Sequence, residues 1–269
     1  MKKALKEMIN DIKGCKAVAG FDMVEIDGVF YPLPLVDGNS KIGHVWHAST
    51  LPTDKDFHIE YNNMVIDEKG TCPLYCNGCY GTKGNYNYEN VLFYIAMRTR
   101  FLRKYPEIYF QVCRAQIITE NIKLIRLHAT GDFIENEAAG WYKIFKDMPD
   151  LIGWTYTKCK KTGDIKRLNN LNNFNIVDSI IPGCGFNFGH IDYILNVYEK
   201  LKKAGKDVYI CRCGIDKNQH CENCGGCALN KYVLFIEHST GYKAEKDPLY
   251  NVIKEIIEWQ PLPPLPNRA

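Results

Sequence analysis

The sequence of 269 residues contains no run of eighteen or more apolar residues, which excludes a helix that crosses a membrane. No secretory leader is expected either: Met1-Lys-Lys-Ala-Leu-Lys is basic, but no apolar stretch of the required length follows. A cytoplasmic location is therefore expected. There is no large charge imbalance, since 34 Lys and Arg face 31 Asp and Glu, and 46% of the residues are hydrophobic. That balance excludes disorder as the overall state, and the length suits one large domain or two small ones. No internal repeat is visible. What the chain has in excess is cysteine, twelve residues in all. A reducing cytosol disfavours structural disulfides, so a cysteine-dense chain points to metal or redox chemistry.

The cysteines are grouped. Cys72, Cys76 and Cys79 lie within Thr71-Cys-Pro-Leu-Tyr-Cys-Asn-Gly-Cys-Tyr80, and Cys211, Cys213, Cys221, Cys224 and Cys227 crowd a later segment. Cys15, Cys113 and Cys159 stand apart and read as small buried hydrophobes. Cys184 sits in the loop Pro182-Gly-Cys-Gly-Phe.

Hydrophobic periodicity sketches the rest. A short helix is expected from Lys3 to Ile12, and Asp27-Gly28 between Met23-Val-Glu-Ile and Val29-Phe-Tyr signals a hairpin. A helix over Tyr88 to Lys104 puts Val91, Tyr94, Ile95, Phe101 and Leu102 on one side. Strands are expected at Lys123–Ala129, Leu151–Thr157, Phe174–Ile181, Val208–Cys213 and Tyr232–Ile236. Helices are expected from Glu137 to Lys146 and from Ile191 to Ala204. A last helix, opened by Asp247-Pro248, presents Leu249, Val252, Ile253, Ile256 and Ile257 inward. Strands alternating with helices predict a parallel sheet with right-handed crossovers. The tail Pro261-Leu-Pro-Pro-Leu-Pro266 suits polyproline II or simple packing.

Cys72-x3-Cys76-x2-Cys79 supplies three thiolates from one short loop. Structural zinc wants four protein ligands, usually as two pairs, so this loop would need a fourth from elsewhere. Three thiolates suit a four-iron cluster and leave one iron open to a ligand. In this spacing the loop resembles the signature of the radical S-adenosylmethionine (radical SAM) enzymes. That resemblance implies a 4Fe-4S cluster whose open iron chelates the methionine part of S-adenosylmethionine. An electron then cleaves the sulfonium, and the resulting deoxyadenosyl radical removes hydrogen from a substrate. It also implies that the strand-end Thr130-Gly131-Asp132 seats the methionine amino group. Tyr80, His128 and Lys158 are expected near the same cofactor. Gly78 stands where members of that family commonly carry an aromatic residue. Asn39-Ser-Lys-Ile-Gly, Thr71-Cys-Pro, Cys79-Tyr-Gly, Arg126-Leu-His-Ala-Thr-Gly-Asp-Phe133 and the late cysteines are together similar to a little-characterised group of phage-encoded, radical-SAM-like proteins.

Cys221-x2-Cys224-x2-Cys227 has the rhythm of ferredoxin cluster loops, and Cys211 or Cys213, on one face of a strand, completes four ligands. By resemblance this is an auxiliary 4Fe-4S cluster; four thiolates equally satisfy zinc. His220 is a substitute ligand or an ordinary loop histidine. His44-x2-His47 has metal-like spacing but no nearby carboxylate or cysteine in sequence. Lys158, Lys160, Lys161, Lys166 and Arg167, against Asp164, form a basic patch suited to phosphate or nucleic acid, or to a solvated face.

The sequence thus predicts an α/β fold, a partial (β/α) barrel of radical SAM type. Its expected parts are an N-terminal extension over 1–54, the barrel core over 55–210, a cysteine-rich segment over 211–230, and a last strand and helix over 231–269. The expected function is reductive cleavage of S-adenosylmethionine, supplied by a flavodoxin- or ferredoxin-like electron donor, with no membrane partner and an unidentified substrate. The alternative is a non-enzymatic protein, stabilised by zinc or iron–sulfur, that binds nucleic acid.

Overall fold

The computed structural model describes residues 1–38, 43–73, 80–82, 84–216, 219–236 and 243–260. The Pro-rich tail from Pro261, and Cys76 and Cys79, lie outside the described residues. In chain order, helix α1 (Lys3–Asn10) precedes strands β1 (Lys16–Ala17), β2 (Met23–Ile26), β3 (Val29–Pro32), β4 (Trp46–His47), β5 (Asp56–Tyr61) and β6 (Met64–Lys69). Helices α2 (Glu89–Lys104) and α3 (Pro106–Thr119) lead to β7 (Leu124–Arg126), α4 (Glu137–Asp147), β8 (Ile152–Thr157), α5 (Gly163–Asn169) and β9 (Phe174–Asp178). Short strands β10 (Ile180–Ile181), β11 (Gly185–Phe186) and β12 (Phe188–Gly189) are followed by α6 (Ile191–Lys203) and β13 (Val208–Ile210). Helices α7 (Cys221–Cys224) and α8 (Gly226–Leu229), strand β14 (Tyr232–Ile236) and helix α9 (Tyr250–Trp259) complete the order.

Local chemistry explains several of these boundaries. Asp27 and Gly28 both have positive φ, at 51° and 75°, the requirement of the two-residue turn that joins β2 to β3. Asn62 and Asn63, at 50° and 61°, do the same for the antiparallel pair β5–β6, because asparagine tolerates the left-handed region. Pro106 opens α3 directly after α2, at a position where its missing N–H costs nothing.

The expected barrel does not form. The described strands are spread over separate sheets ordered β1-β2-β3, β5-β6, β4-β7-β8-β9, β10-β11 and β12-β14-β13, and none closes. A barrel needs successive parallel strands joined through crossover helices. Here the strand before Cys72 is β6, the second arm of an antiparallel hairpin. After β9 the chain turns back through the antiparallel pair β10–β11, with Ile180 opposite Phe186, and enters no crossover helix.

The chain divides into two compact units. The first comprises Met1–Asp37, Trp46–Gly153 and Cys159–Phe174. Its core is a run of aromatic contacts, Tyr31–Phe101–Tyr109–Phe110–Trp141–Phe145–Phe174, with centroid separations of 4.5 to 6.2 Å. Of the stripe expected on α2, Ile95, Phe101 and Leu102 are buried, whereas Tyr94 is exposed and Phe93 is buried in its place. The second unit comprises Gly38–Val45, Trp154–Lys158 and Asn175–Ala269. In it the parallel strands β12, β14 and β13 carry a core of Ile191, Ile194, Val197, Ile210, Leu234, Ile236, Ile253 and Ile257. Only Ile253 and Ile257 of the α9 stripe are buried; Leu249 and Val252 face solvent. Among the described residues, no helix is long and apolar enough to cross a membrane.

Candidate functional site

In the first unit, the parallel pair β4–β7 continues past its strands. Ala129 N–H donates to the Ala48 carbonyl at 3.0 Å and Thr50 N–H to the Thr130 carbonyl at 3.1 Å. Next to that ladder, Thr71 N–H donates to Leu51 O at 3.0 Å and Cys72 N–H to Thr53 O at 2.9 Å. Cys72 is thereby fixed and buried.

Hydroxyl groups close the arrangement. Thr71 Oγ1 donates to Leu51 O at 2.9 Å and accepts the Asp132 N–H at 2.8 Å. It also lies 3.0 Å from Thr50 Oγ1, while Thr130 Oγ1 donates to Thr50 O at 2.8 Å. Gly131 has φ +83°, and a Cβ there would stand 2.1 Å from Thr50 Oγ1 and 2.6 Å from Thr71 Oγ1. No other residue type permits this approach. Asp132 is 1% exposed and accepts the Phe133 N–H at 2.8 Å.

A second buried network ends the same loop. Glu137, 1% exposed at the start of α4, accepts hydrogen bonds from Trp141 Nε1 at 3.1 Å and Ile134 N–H at 3.1 Å. His128 Nε2 lies 3.0 Å from the same carboxylate, and its ring packs edge-on against Phe133. Burial alone would lower the His128 pKa. The charge and hydrogen bond of Glu137, with the charge of Asp132, outweigh it and hold the pKa above the usual value. Glu137 and Thr50 were not singled out by the sequence, and Thr71 entered only as the residue before Cys72 in the motif. The only sign of Glu137 was an acidic residue opening a helix, and nothing marked Thr50.

The remaining expected residues lie on several elements. Tyr80 opens a short helical turn, Tyr80–Thr82. Lys158 follows β8 and is counted with the second unit. In the basic patch, Arg167 pairs with Asp164 at 2.7 Å and stacks 4.4 Å over the Tyr142 ring. His44 and His47 fall in different units. His47 lies 3.3 Å from Ser49 Oγ, and burial, helped by Arg126 and Arg98, lowers its pKa to about 4. Cys15 and Cys113 are buried as expected, whereas Cys159 and Cys184 are half-buried.

The late cysteines gather in the second unit. Strand β13 ends at Ile210, so Cys211 and Cys213 do not share a strand face; Arg212–Gly214 is a helical turn. Cys213 Sγ instead donates to the Gln219 carbonyl at 3.2 Å. A hydrogen bond to Cys211, with burial, pushes the Cys213 thiol up to about 12, against the opposing bond to Cys221. Tyr209 Oη lies 3.0 Å from Cys224 Sγ. Gly225 (φ 68°) breaks α7 from α8, and Gly226 passes under the Tyr209 ring, where a Cβ would come within 2.2 Å. Asn175 Nδ2 donates to Cys227 O and Asn230 O at 2.8 Å each. His220 Nδ1 is buried without a hydrogen-bond partner. Among the described residues, no three His, Cys, Asp or Glu side chains are already disposed as a metal-binding group.

A family model described as Gene product 88 matches residues 37–181. The match takes in the Cys72 loop, Thr130–Asp132 and Glu137, and stops before Cys211. It is a phage gene-product family, and no radical SAM family matches, which overturns the resemblance to that superfamily. No curated protein and no solved structure matches the chain.

Proposed function

Because the chain belongs to the gene product 88 family, a name that carries no activity, we propose a function from the residues of the matched segment. The chain is read as an iron–sulfur enzyme that uses S-adenosylmethionine. Cys72, Cys76 and Cys79 would hold a four-iron, four-sulfur cluster through three thiolates. The observation that carries this reading is the fastening of the cysteine loop to the turn Thr130-Gly131-Asp132, through the hydrogen bond of Asp132 N–H to Thr71 Oγ1 at 2.8 Å. The cluster rests on the donor chemistry of the loop; S-adenosylmethionine is what the resemblance of the spacing Cys72-x3-Cys76-x2-Cys79 implies, and the barrel plays no part in it.

Three thiolates on four irons leave one iron for an amino-and-carboxylate chelate, the form of the methionine part of S-adenosylmethionine. Held by these thiolates, such a cluster would supply one electron to the cofactor's sulfonium. The chain's own residues do the positioning. Thr71 ties the loop to the turn, and Gly131 permits the close approach. The His128–Glu137 pair holds the far end of the loop, with both side chains 1% exposed. Such a buried frame keeps water from a reactive centre. An electron donor of flavodoxin or ferredoxin type belongs to the same reading.

The test is anaerobic reconstitution with iron and sulfide, reduction, and chromatography for 5′-deoxyadenosine in the presence of S-adenosylmethionine. The reconstituted protein is expected to form it, and Cys76→Ala to form none. Absence of the product from the wild-type protein, or its full retention in Cys76→Ala, overturns the reading.

A further inference from the structure

We propose that the second unit binds a nucleoside, guanosine by preference, in the cavity between residues 184–189 and the first turn of α6. The site lies outside the family-matched segment and does not depend on the cluster or the cofactor proposed for the Cys72 loop.

The extended chain that leads into α6 builds the cavity. Successive side chains of such a chain point to opposite sides. Asn187 takes the inner side: it is buried, and its Nδ2 donates to Val233 O at 3.1 Å. Its own carbonyl accepts the Phe235 N–H at 2.8 Å. Phe186 and Phe188 are thereby turned the other way together, with ring centroids 5.4 Å apart and planes inclined by 44°. Tyr193, in the first turn of α6, fastens this chain, since its Oη lies 2.9 Å from the carbonyl oxygens of both Cys184 and Phe186. Gly185 and Gly189 allow the chain to close on that ring. A Cβ at Gly185 would stand 2.7 Å from Tyr193 Oη, and one at Gly189 2.6 Å from Tyr193 Cδ1. The result is an open cavity of about 580 Å³, a size that small ligands fill, and its aromatic wall is held in place by the protein itself.

The lining selects the ligand. Phe186 is 37% exposed, as is Ile180, its partner across the β10–β11 pair. A flat ring presented in this way stacks a planar heterocycle, and an open cavity admits one. Asp192 adds a carboxylate, which when ionised only accepts hydrogen bonds. Among the described residues that line the cavity there is no lysine or arginine, so a phosphate group would meet the Asp192 charge with nothing beside it to offset the repulsion. The ligand that fits is therefore a base with N–H donors and no phosphate. Guanine sets its N1–H and its amino group side by side on one edge, and both can donate to a single carboxylate. Adenine and cytosine place an acceptor next to the amino group, which the same carboxylate repels.

The experiment titrates the full chain, without iron reconstitution, with guanosine by saturation-transfer NMR. Adenosine, cytidine, guanosine 5′-monophosphate and S-adenosylmethionine are titrated beside it. Guanosine is expected to bind saturably and more tightly than the other four. Phe186→Ala should weaken it by about tenfold, the effect of losing a stacked base. Asp192→Asn should weaken it by a similar factor, about tenfold, and bring guanosine 5′-monophosphate level with guanosine. No saturable binding of guanosine, binding of any of the other four as tight as that of guanosine, or unchanged affinity in either variant overturns the assignment. Both side chains are exposed, and if Phe186→Ala nevertheless fails to fold, Asp192→Asn decides. Guanosine binding by a chain that makes no 5′-deoxyadenosine when reconstituted keeps this proposal and loses the earlier one; the product without guanosine binding does the reverse.

Discussion

Around Cys72 the contacts come from backbone and hydroxyl groups that interlock, whereas Cys213 and Cys224 each meet a single polar group, the Gln219 carbonyl and the Tyr209 hydroxyl. The first arrangement is held in place by the protein. Thr50, Thr71 and Thr130 interlock over Gly131, and a buried carboxylate at Glu137 ties down the end of the loop. In the second, Tyr209 stands against the Cys224 sulfur, the Gln219 carbonyl against Cys213, and Asn175 against the backbone. The difference teaches where stability should come from. The first region is preorganised, so side-chain substitutions there should be felt without any ion. The second has fewer such interlocking bonds, so single substitutions there should cost less.

Glu137→Ala is the strongest way to break this comparison. It strips three hydrogen-bonding groups, His128, Trp141 and the Ile134 N–H, of their shared acceptor inside the core. Removing one partner of a buried pair costs about 3–5 kcal/mol. Urea unfolding of the metal-free protein should show that loss, with Glu137→Gln intermediate, because the amide oxygen still accepts from Trp141. A loss under about 1 kcal/mol would mean that the network is not what holds the loop.

Gly131→Ala comes next. Its φ of +83° and the 2.1 Å approach to Thr50 Oγ1 both oppose a methyl group. Strain in this region of backbone space costs about 1–3 kcal/mol, and the Thr50–Thr71 contact must open to admit it. The expected signature is a fall in stability together with faster amide exchange at Asp132, whose N–H is bonded to Thr71. Stability equal to the wild type would show that the threonines yield freely and that the first region is no more rigid than the second.

How much of this was readable in advance follows the range over which each signal acts. Asp27-Gly28 named its own turn, since the two positive φ values are a property of those two residues. The helices α2, α4 and α6 followed from periodicity, which is also local. Strand partners are not local. The alternation of strands and helices suggested one closed parallel system, yet alternation does not say which edge a strand joins, and β5–β6 and β10–β11 paired antiparallel with their chain neighbours. The Asn62-Asn63 turn was a legible sign of the first of these and was passed over. The α9 stripe failed for a related reason, since periodicity marks an apolar side without saying how much of it meets a partner. At the site, Thr130, Gly131 and Asp132 were picked out and do sit beside the cysteine loop. Thr50 and Glu137 were invisible, and the bonds of Thr71 with them, because a threonine or a glutamate gains its role only from a neighbour dozens of residues away or from burial.

The smallest effect is one of slope, and it sets two histidines of the first unit against each other. His128 has a raised pKa, so its contribution to stability is fully present below the unfolded value of about 6.5 and is lost as pH rises through the folded pKa. His47 has a pKa lowered to about 4, so between that value and about 6.5 the unfolded chain binds the extra proton, and stability falls as the pH drops. Exposed His58, bonded to Asp67 and Glu60, adds a salt-screened contribution of the same sign as His128. No single group can tilt the profile by more than about 1.4 kcal/mol per pH unit. Urea midpoints taken from pH 4.5 to 9 should therefore give a maximum, falling on the acid side through His47 and on the alkaline side through His128. His128→Gln should flatten the alkaline limb and leave the acid limb standing, while His47→Gln should do the reverse. An alkaline limb unchanged in His128→Gln would show that Glu137 does not hold a protonated imidazole, and the first region would then owe its rigidity to the threonines alone.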